Sequence, residues 1–164
     1  MISSTTDFIR YFEGVRSRTL NYIQVLPLDR LEWSPKPDEF TCGDILRHLA
    51  AAESMFVGVA LEGRWKYGGH EAGGPQDLDE LLHLLESAHI QAMERLAGLT
   101  DDQLYEPRPS IKGHPLKAWR WLMAMVEHEI HHRSQLAVYL TLMGVQPPHI
   151  YGLGVEDIIA LATG

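Results

Sequence analysis

Two histidines four positions apart, His128 and His132, lie within the segment VEHEIHHRSQL. On a helix this spacing puts two side chains about 40° apart and one turn along the axis, so both imidazoles project from one face. Two such rings can bind one metal ion. Buried imidazoles in an otherwise apolar helix also need polar partners, and a metal would be one. The pair therefore favours a metal site over ordinary hydrogen-bonded core histidines.

A metal site needs a third protein ligand, and His48 is the best candidate. It lies in GDILRHLAAAE, in the same inward sector as Ile45, Leu49 and Ala52. Metal sites in helical bundles are built from side chains on facing helices, which suits a ligand on a second helix. A lone core histidine is the alternative interpretation of this position. Imidazole ligands suit Zn, Ni, Fe or Cu, so the ligand type does not select one metal.

Three further residues are candidates for catalysis. Glu129 completes an H-E-x-x-H pattern with the two histidines, which would make it the general base of a zinc protease. That function is disfavoured because no H-x-x-G-x-x-H continuation follows and no strand is available beside the substrate. Glu129 is otherwise a hydrogen-bond acceptor for a ligand or a capping residue. Gln135 and Tyr139 continue the histidine stripe and would contact substrate or pack as interior polar groups.

The remaining reactive residues have simpler interpretations. Cys42 lies near a helix start that can lower a thiol pKa, but a small buried cysteine is the favoured interpretation. His131 adjoins the pair and has no assigned role. Trp65 and Tyr67 either overhang the open end of the bundle or anchor their loop. The other five histidines are predicted to be exposed to solvent: His70, His83, His89, His114 and His149.

The elements that must position these residues are helices. Apolar residues recur at three- and four-residue spacing in four segments separated by Gly- and Pro-rich connections. The predicted main helices run from Thr6 or Asp7 to about Leu26, from Thr41 to about Leu61, from Asp77 or Asp79 to Gly98, and from Pro115 to Met143. A short terminal helix covers about Val155 to Leu161. No segment alternates long enough to predict a strand, so we expect one all-α domain over residues 1–164, a four-helix bundle.

Composition narrows the function classes. The chain has 164 residues, 14 Lys plus Arg, 22 Asp plus Glu and a net charge of −8. An acidic balance argues against general nucleic-acid binding, which needs clustered cations. The single cysteine excludes an intrachain disulfide and cysteine-based zinc ribbons. No secretory signal and no apolar run of membrane-spanning length are found, so we expect a cytoplasmic protein with no membrane partner.

The order of these segments resembles the DinB family of bacterial four-helix proteins over nearly the whole chain. The similarity rests on LDRLEWSPKPDEFT, on FTCGDILRHLAAAE, and on EHEIHHRSQLAVYL after a long loop and an acidic third helix. The most specific piece is H-H-R-x-Q-L at residues 131–136. The resemblance implies that His48, His128 and His132 bind a divalent ion, with Zn, Ni or Fe as candidates. It also implies a homodimer.

The resemblance says less about the reaction. Relatives include thiol-dependent S-transferases and a maleylpyruvate isomerase, so it implies a metal-dependent transferase or hydrolase acting on small molecules. A low-molecular-weight thiol is one such substrate, although no residue here selects a particular thiol or acceptor. The alternative is a non-catalytic, stress-related binding or structural protein whose metal site is structural or vestigial.

Overall fold

Within residues 3–70 and 77–163, which the computed structural model describes, five α-helices account for most of the chain. They are α1 (Thr5–Ile23), α2 (Cys42–Glu62), α3 (Leu78–Ala97), α4 (Ala118–Leu142) and α5 (Val155–Thr163). Helices α1 to α4 form the bundle and α5 follows as a short terminal helix. The predicted all-α four-helix bundle with an extra C-terminal helix is therefore confirmed.

Both ends of α2 are fixed by local chemistry. Thr41 accepts a hydrogen bond from the backbone N–H of Asp44, whose carboxylate accepts one from the backbone N–H of Thr41. Such a capping box contributes about 1 kcal/mol and sets where the helix begins. At the other end Gly63 adopts φ 70°, and a Cβ there would lie 2.9 Å from Cδ of Pro109. Helix α2, which carries His48, thus has a defined start and end.

The fourth helix begins later than the sequence predicts. Pro115 was the expected first position, but the helix starts at Ala118. The reason is a two-residue antiparallel pairing of β1 (Pro107–Arg108) with β2 (Leu116–Lys117), which holds the chain extended up to the helix. Strands of two residues are too short to give an alternating pattern, so this pairing was missed.

The first helix ends slightly earlier than predicted. It stops at Ile23 rather than about Leu26. The N–H of Leu26 bonds to the carbonyl of Ile23 at 3.0 Å, which makes a tight turn ahead of Pro27. The chain therefore leaves the helix before the proline forces it to.

The four bundle helices are arranged as a square. Helix α2 packs against α3 and α4, and α1 packs against α4 and α3. Helices α1 and α2 therefore lie at opposite corners, as do α3 and α4. A direct contact between α1 and α2 consequently crosses the centre of the bundle.

The core is divided into two apolar clusters. One contains Phe8, Phe12, Val15, Phe56, Leu96, Leu122 and Val126 among others; the second contains Ile23, Ile45, Leu46, Leu81, Leu85, Leu136 and Leu140 among others. On α4, buried Glu129, His132 and Arg133 lie between the members of the two clusters. A polar layer thus crosses the middle of the bundle, and the candidate site residues belong to it.

The terminal helix packs little against the bundle. Its apolar side chains are exposed, with Val155 at 70% and Leu161 at 73%. None of the described helices combines the length and the apolar character needed to cross a membrane.

Candidate metal site

The structure brings together the three histidines that the sequence singles out. His48 lies on α2, and His128 and His132 lie one turn apart on the adjacent α4. One ring nitrogen from each lies within 4.8 Å of the others. The Nε2 atoms of His48 and His128 are 2.8 Å apart. Nitrogens bound to one divalent ion at about 2.0–2.1 Å lie about 3 Å from each other, so this donor set fits a shared metal.

Burial keeps these imidazoles neutral. Burial, and after it the neighbouring imidazoles, lower the pKa of His48 to about 4 and that of His128 to about 3. The pKa of His132 is also lowered, again mainly by burial. Among the described residues, no carboxylate pairs with any of the three. At neutral pH each ring therefore offers a lone pair, which is the form that binds a metal.

Gln135 and Tyr139 lie behind His132. Nδ1 of His132 is 2.9 Å from Oε1 of Gln135, and Nε2 of Gln135 is 3.0 Å from the hydroxyl of Tyr139. Tyr139 donates in turn to the backbone carbonyl of Phe40 at 3.0 Å. Gln135 therefore contacts His132, and Tyr139 contacts Gln135. Together they form a hydrogen-bond chain from His132 to the protein backbone.

His48 is hydrogen-bonded by a residue of the loop after α2. Its Nδ1 lies 2.6 Å from the hydroxyl of Tyr67, which is 2.7 Å from Nδ1 of His70. His70 is half-buried and its ring lies 4.3 Å from that of Phe40, so the prediction that it is simply exposed to solvent is wrong. Sequence reasoning missed it because the loop after α2 has no periodic signal.

Aromatic rings enclose the histidines. Phe40 stacks on His132 at 6.3 Å with an interplanar angle of 8° and meets His48 edge-on at 5.3 Å. Phe56 packs against His128 at 5.5 Å. These apolar walls explain the lowered pKa values because they replace water around the rings.

The loop after α2 lies beside the site. Trp65 donates a hydrogen bond from Nε1 to the carbonyl of Pro109 at 3.1 Å and packs edge-on against Trp121 at 4.8 Å. Trp65 therefore anchors the loop, while Tyr67 reaches the site. A groove of about 1250 Å³ between α2, α3 and this loop is lined by Tyr67 and His70.

Glu129 faces the other side of α4. Its Oε2 lies 3.2 Å from NH2 of Arg16, which donates to Oε2 of Glu53 at 2.6 Å. Burial raises the pKa of Glu129, and the charge of Arg16 opposes that rise. Among the described residues, the Glu129 carboxylate pairs with Arg16 and not with any of the three metal-site histidines. This contact does not fit the protease arrangement in which the glutamate works beside the metal.

His89 on α3 belongs to the same charged group. Its Nδ1 lies 2.7 Å from Oε1 of Glu53, and its ring is only 13% exposed. The prediction that His89 is exposed to solvent is therefore wrong. Burial disfavours its charged form, but the hydrogen bond and charge of Glu53 outweigh this and raise its pKa. We call Arg16, Glu53, Glu129 and His89 the ion cluster.

The remaining reactive residues have no part in either group. Cys42 is buried as predicted, and burial raises the pKa of its thiol to about 11. The thiol is therefore unreactive at neutral pH. His131 is exposed, with its ring 4.9 Å from that of His132. His83, His114 and His149 are exposed as predicted.

Comparison with known families gives a match over most of the chain. The model of the DinB superfamily matches residues 11–136. YjoA, an uncharacterized protein of Bacillus subtilis strain 168, is 22% identical over 143 residues, which covers 85% of this chain and 91% of YjoA.

Solved structures show the same architecture. The DinB-like structure of YjoA from Bacillus subtilis has a TM-score of 0.72 at 21% identity, covering 88% of this chain and 96% of that one. A DinB-like protein from Bacillus cereus ATCC 10987 has a TM-score of 0.74 at 21% identity, covering 91% and 99%. YfiT from Bacillus subtilis, described as a probable metal-dependent hydrolase with an unusual four-helix bundle topology, has a TM-score of 0.67 at 20% identity, covering 87% and 89%. At these identities the likeness establishes the fold.

Proposed function

The chain belongs to the DinB superfamily, and from that premise we propose that it binds a divalent metal ion through His48, His128 and His132. The observation that carries the proposal is the gathering of three histidine ring nitrogens within 4.8 Å of one another on two helices. Zn, Ni and Fe are the candidate metals because all three accept imidazole ligands.

We further propose that the metal serves a transferase or hydrolase reaction on small molecules. A divalent ion held by these three residues would supply Lewis-acid chemistry, which lowers the pKa of a bound water or thiol. The description of YfiT as a probable metal-dependent hydrolase supports the hydrolase. The resemblance to thiol-dependent S-transferases supports the transferase, with a low-molecular-weight thiol as the second substrate.

The chain's own residues supply orientation and exclusion of water. Gln135 holds His132 from behind, and Tyr67 does the same for His48. Phe40 packs edge-on against His48 and Phe56 against His128, which displaces part of the water around these imidazoles. Ligands that are fixed before the metal arrives lose less conformational freedom on binding it.

A structural or vestigial metal in a non-catalytic, stress-related binding protein is the competing function. One observation favours it: the large groove is lined by Tyr67 and His70 of the loop and, among the described residues, not by the three histidines. Under this alternative the metal fastens α2 to α4 and no external ligand reaches it.

We also propose that the chain forms one domain over residues 1–164 and acts as a homodimer in the cytoplasm, without nucleic-acid or membrane partners. The net charge of −8 supports the exclusion of nucleic acid. The homodimer is supported by family resemblance. Light scattering of the purified protein measures the oligomeric state, and a monomer at micromolar concentration would contradict it.

Metal content tests the main proposal. Elemental analysis of protein purified without chelator should find about one divalent ion per chain, and His48→Ala should abolish it. His83→Ala is the matched control because this histidine is 82% exposed on α3. Protein without a stoichiometric ion, together with an unchanged affinity in His48→Ala, would refute the site.

Exogenous ligands separate the catalytic from the structural function. In cobalt-substituted protein, addition of a small thiol should change the visible absorption if an open position accepts it. Removal of the metal should also lower the melting temperature only slightly if the metal is catalytic. An unchanged spectrum combined with a large loss of melting temperature on metal removal would favour the structural role.

A further inference from the structure

We propose that Gln135, Tyr139 and the backbone carbonyl of Phe40 form a positioning unit that fixes the tautomer of His132. The unit holds the imidazole proton on Nδ1 and so leaves Nε2 as the ligand atom. This inference rests on the proposed metal binding, and it gives Gln135 and Tyr139 a role other than contact with substrate.

The direction of each hydrogen bond follows from the last group in the chain. A backbone carbonyl can only accept, so Tyr139 donates its proton to Phe40. The phenolic oxygen is then free to accept from the amide NH2 of Gln135. This leaves Oε1 of Gln135, which can only accept, facing Nδ1 of His132 at 2.9 Å. The proton of neutral His132 must therefore lie on Nδ1.

The unit is packed against the core of the bundle. Tyr139 is 3% exposed, and Trp33 meets its ring edge-on at 5.3 Å. His132, Gln135 and Tyr139 follow one another at spacings of three and four, so they share one face of α4. If the tyrosine hydroxyl or the amide turned away, the partly buried hydrogen bonds of 2.9–3.0 Å in this chain would be lost.

Phe40 links this unit to the other ligand-bearing helix. Its carbonyl accepts from Tyr139, while its ring stacks on His132 at 6.3 Å. The next residue is Thr41, whose capping box fixes the start of α2. The orientation of His132 is thus tied to the helix that carries His48.

His48 lacks an equivalent fixed end. Its partner Tyr67 is 40% exposed and stands between two imidazoles, those of His48 and His70. Either imidazole can donate or accept, so this chain does not dictate a proton direction. His132 is therefore the ligand whose lone pair is set in advance.

Removal of the Gln135 amide oxygen should allow the His132 proton to lie on either ring nitrogen and should weaken metal binding. Gln135→Met keeps the side-chain length but cannot accept from Nδ1, so we expect a loss of metal affinity of about 10–100-fold. Gln135→Glu retains an acceptor oxygen and should restore most of that affinity. Tyr139→Phe leaves Gln135 in place but removes its partner, so its effect should be smaller than that of Gln135→Met.

Two measurements test the unit. Long-range proton–nitrogen NMR of the metal-free protein reports which nitrogen of His132 carries the proton, and chelator competition with Zn²⁺ reports affinity. Gln91→Met on α3 and Tyr22→Phe, a buried tyrosine on α1, are the matched controls. Circular dichroism confirms that each variant is folded.

The tautomer measurement and the Zn²⁺ affinity measurement test different parts of the proposal. The proton of His132 should lie on Nδ1 in the wild type and Gln135→Glu, and should distribute between both nitrogens in Gln135→Met. A proton on Nε2 in the wild type, or a Gln135→Met affinity equal to that of Gln91→Met, overturns the positioning role. If no protein binds Zn²⁺ yet the tautomers follow the expected pattern, the metal proposal fails and the fixed tautomer stands.

Discussion

The polar layer of the bundle contains two groups with opposite electrostatics. On one side of α4, His48, His128 and His132 are neutral, and burial holds their pKa values down. On the other side, the ion cluster pairs Arg16 with two glutamates, and the pKa of His89 is raised.

The difference shows how a bundle core can serve two purposes. The ion cluster compensates its own charges, since Glu53 contacts both Arg16 and His89 at 2.6 and 2.7 Å. The bridge from Arg16 on α1 to Glu53 on α2 also joins opposite corners of the bundle. Within residues 3–70 and 77–163, no cation pairs with the histidine group. The first group therefore holds helices together, and the second is suited to an external cation.

Loss of Arg16 should produce the largest effect on stability. Arg16→Met leaves Glu53 and Glu129 buried without their shared cation, which we expect to cost about 3–5 kcal/mol in free energy of unfolding. Urea denaturation at pH 7 measures the change. Arg10→Met, an exposed arginine on the same helix, should change stability by less than about 0.5 kcal/mol.

The metal affinity of Arg16→Met tests whether the ion cluster and the histidine group are independent. If the two groups are independent, folded Arg16→Met should bind Zn²⁺ within about threefold of the wild type. A much larger loss of affinity would show that the ion cluster positions the metal ligands, and the division of roles would be wrong.

Loss of His128 should have the converse effect. His128→Ala removes one of three ligands, so metal affinity should fall at least about 100-fold, or about 2.8 kcal/mol in binding free energy. The stability of the metal-free protein should change much less than in Arg16→Met. Isothermal titration and denaturation in chelator give the two values, and a variant that unfolds without metal would contradict this assignment.

The two groups should respond to pH with opposite signs. The pKa of His89 is raised in the folded state, so its contribution to stability is complete below pH 6.5 and is lost as pH rises through that raised value. His89→Gln should therefore cost about 1–2 kcal/mol at pH 6 and less at pH 8.5. Equal costs at both pH values would show that the charge of His89 does not matter.

His128 should show the reverse in metal-free protein. Its folded pKa of about 3 lies below the ordinary 6.5, so the unfolded state binds more protons and stability falls as pH drops from 6.5 towards 3. His128→Gln removes this penalty. It should gain stability relative to the wild type between pH 7.5 and pH 5, measured by urea denaturation in chelator.

The smallest effect is expected at His131. Its exposed ring lies 4.9 Å from that of His132 without belonging to the three-histidine group. His131→Ala should change Zn²⁺ affinity by less than about threefold. A loss comparable to that of His128→Ala would mean that the metal site extends to the edge of α4.

The sequence predicted the histidine group because its signals are local. The spacing of His128 and His132 is readable on one helix. The inward position of His48 on a second helix made it the best third ligand, and the family resemblance implied the same residue. The same sequence also predicted the bundle from helical periodicity, and the start of α2 from the Thr41 and Asp44 pair. The sequence does not predict the strand pairing before α4, because strands of two residues give no alternating pattern.

The ion cluster could not be read from the sequence in the same way. Three of its members lie on three different helices and more than thirty residues apart in the sequence: Arg16, Glu53 and His89. No short sequence motif contains two of them. His89 stands in an acidic helix where exposure is the usual outcome. An arginine at an inward position of α1 was the one available signal, since a buried cation needs a buried acid.

The division of the apolar core into two clusters has a consequence for how the protein opens. Each cluster packs at its own end of the bundle. We therefore expect each end to open as a cooperative unit with its own opening free energy. The layer between them is crossed by a few charge pairs and imidazoles instead of continuous apolar packing. An opening that begins at one end can therefore stop at this layer, and an ion shared by α2 and α4 would couple the two ends. Amide hydrogen exchange should accordingly separate into two groups of protection, which merge when metal is bound.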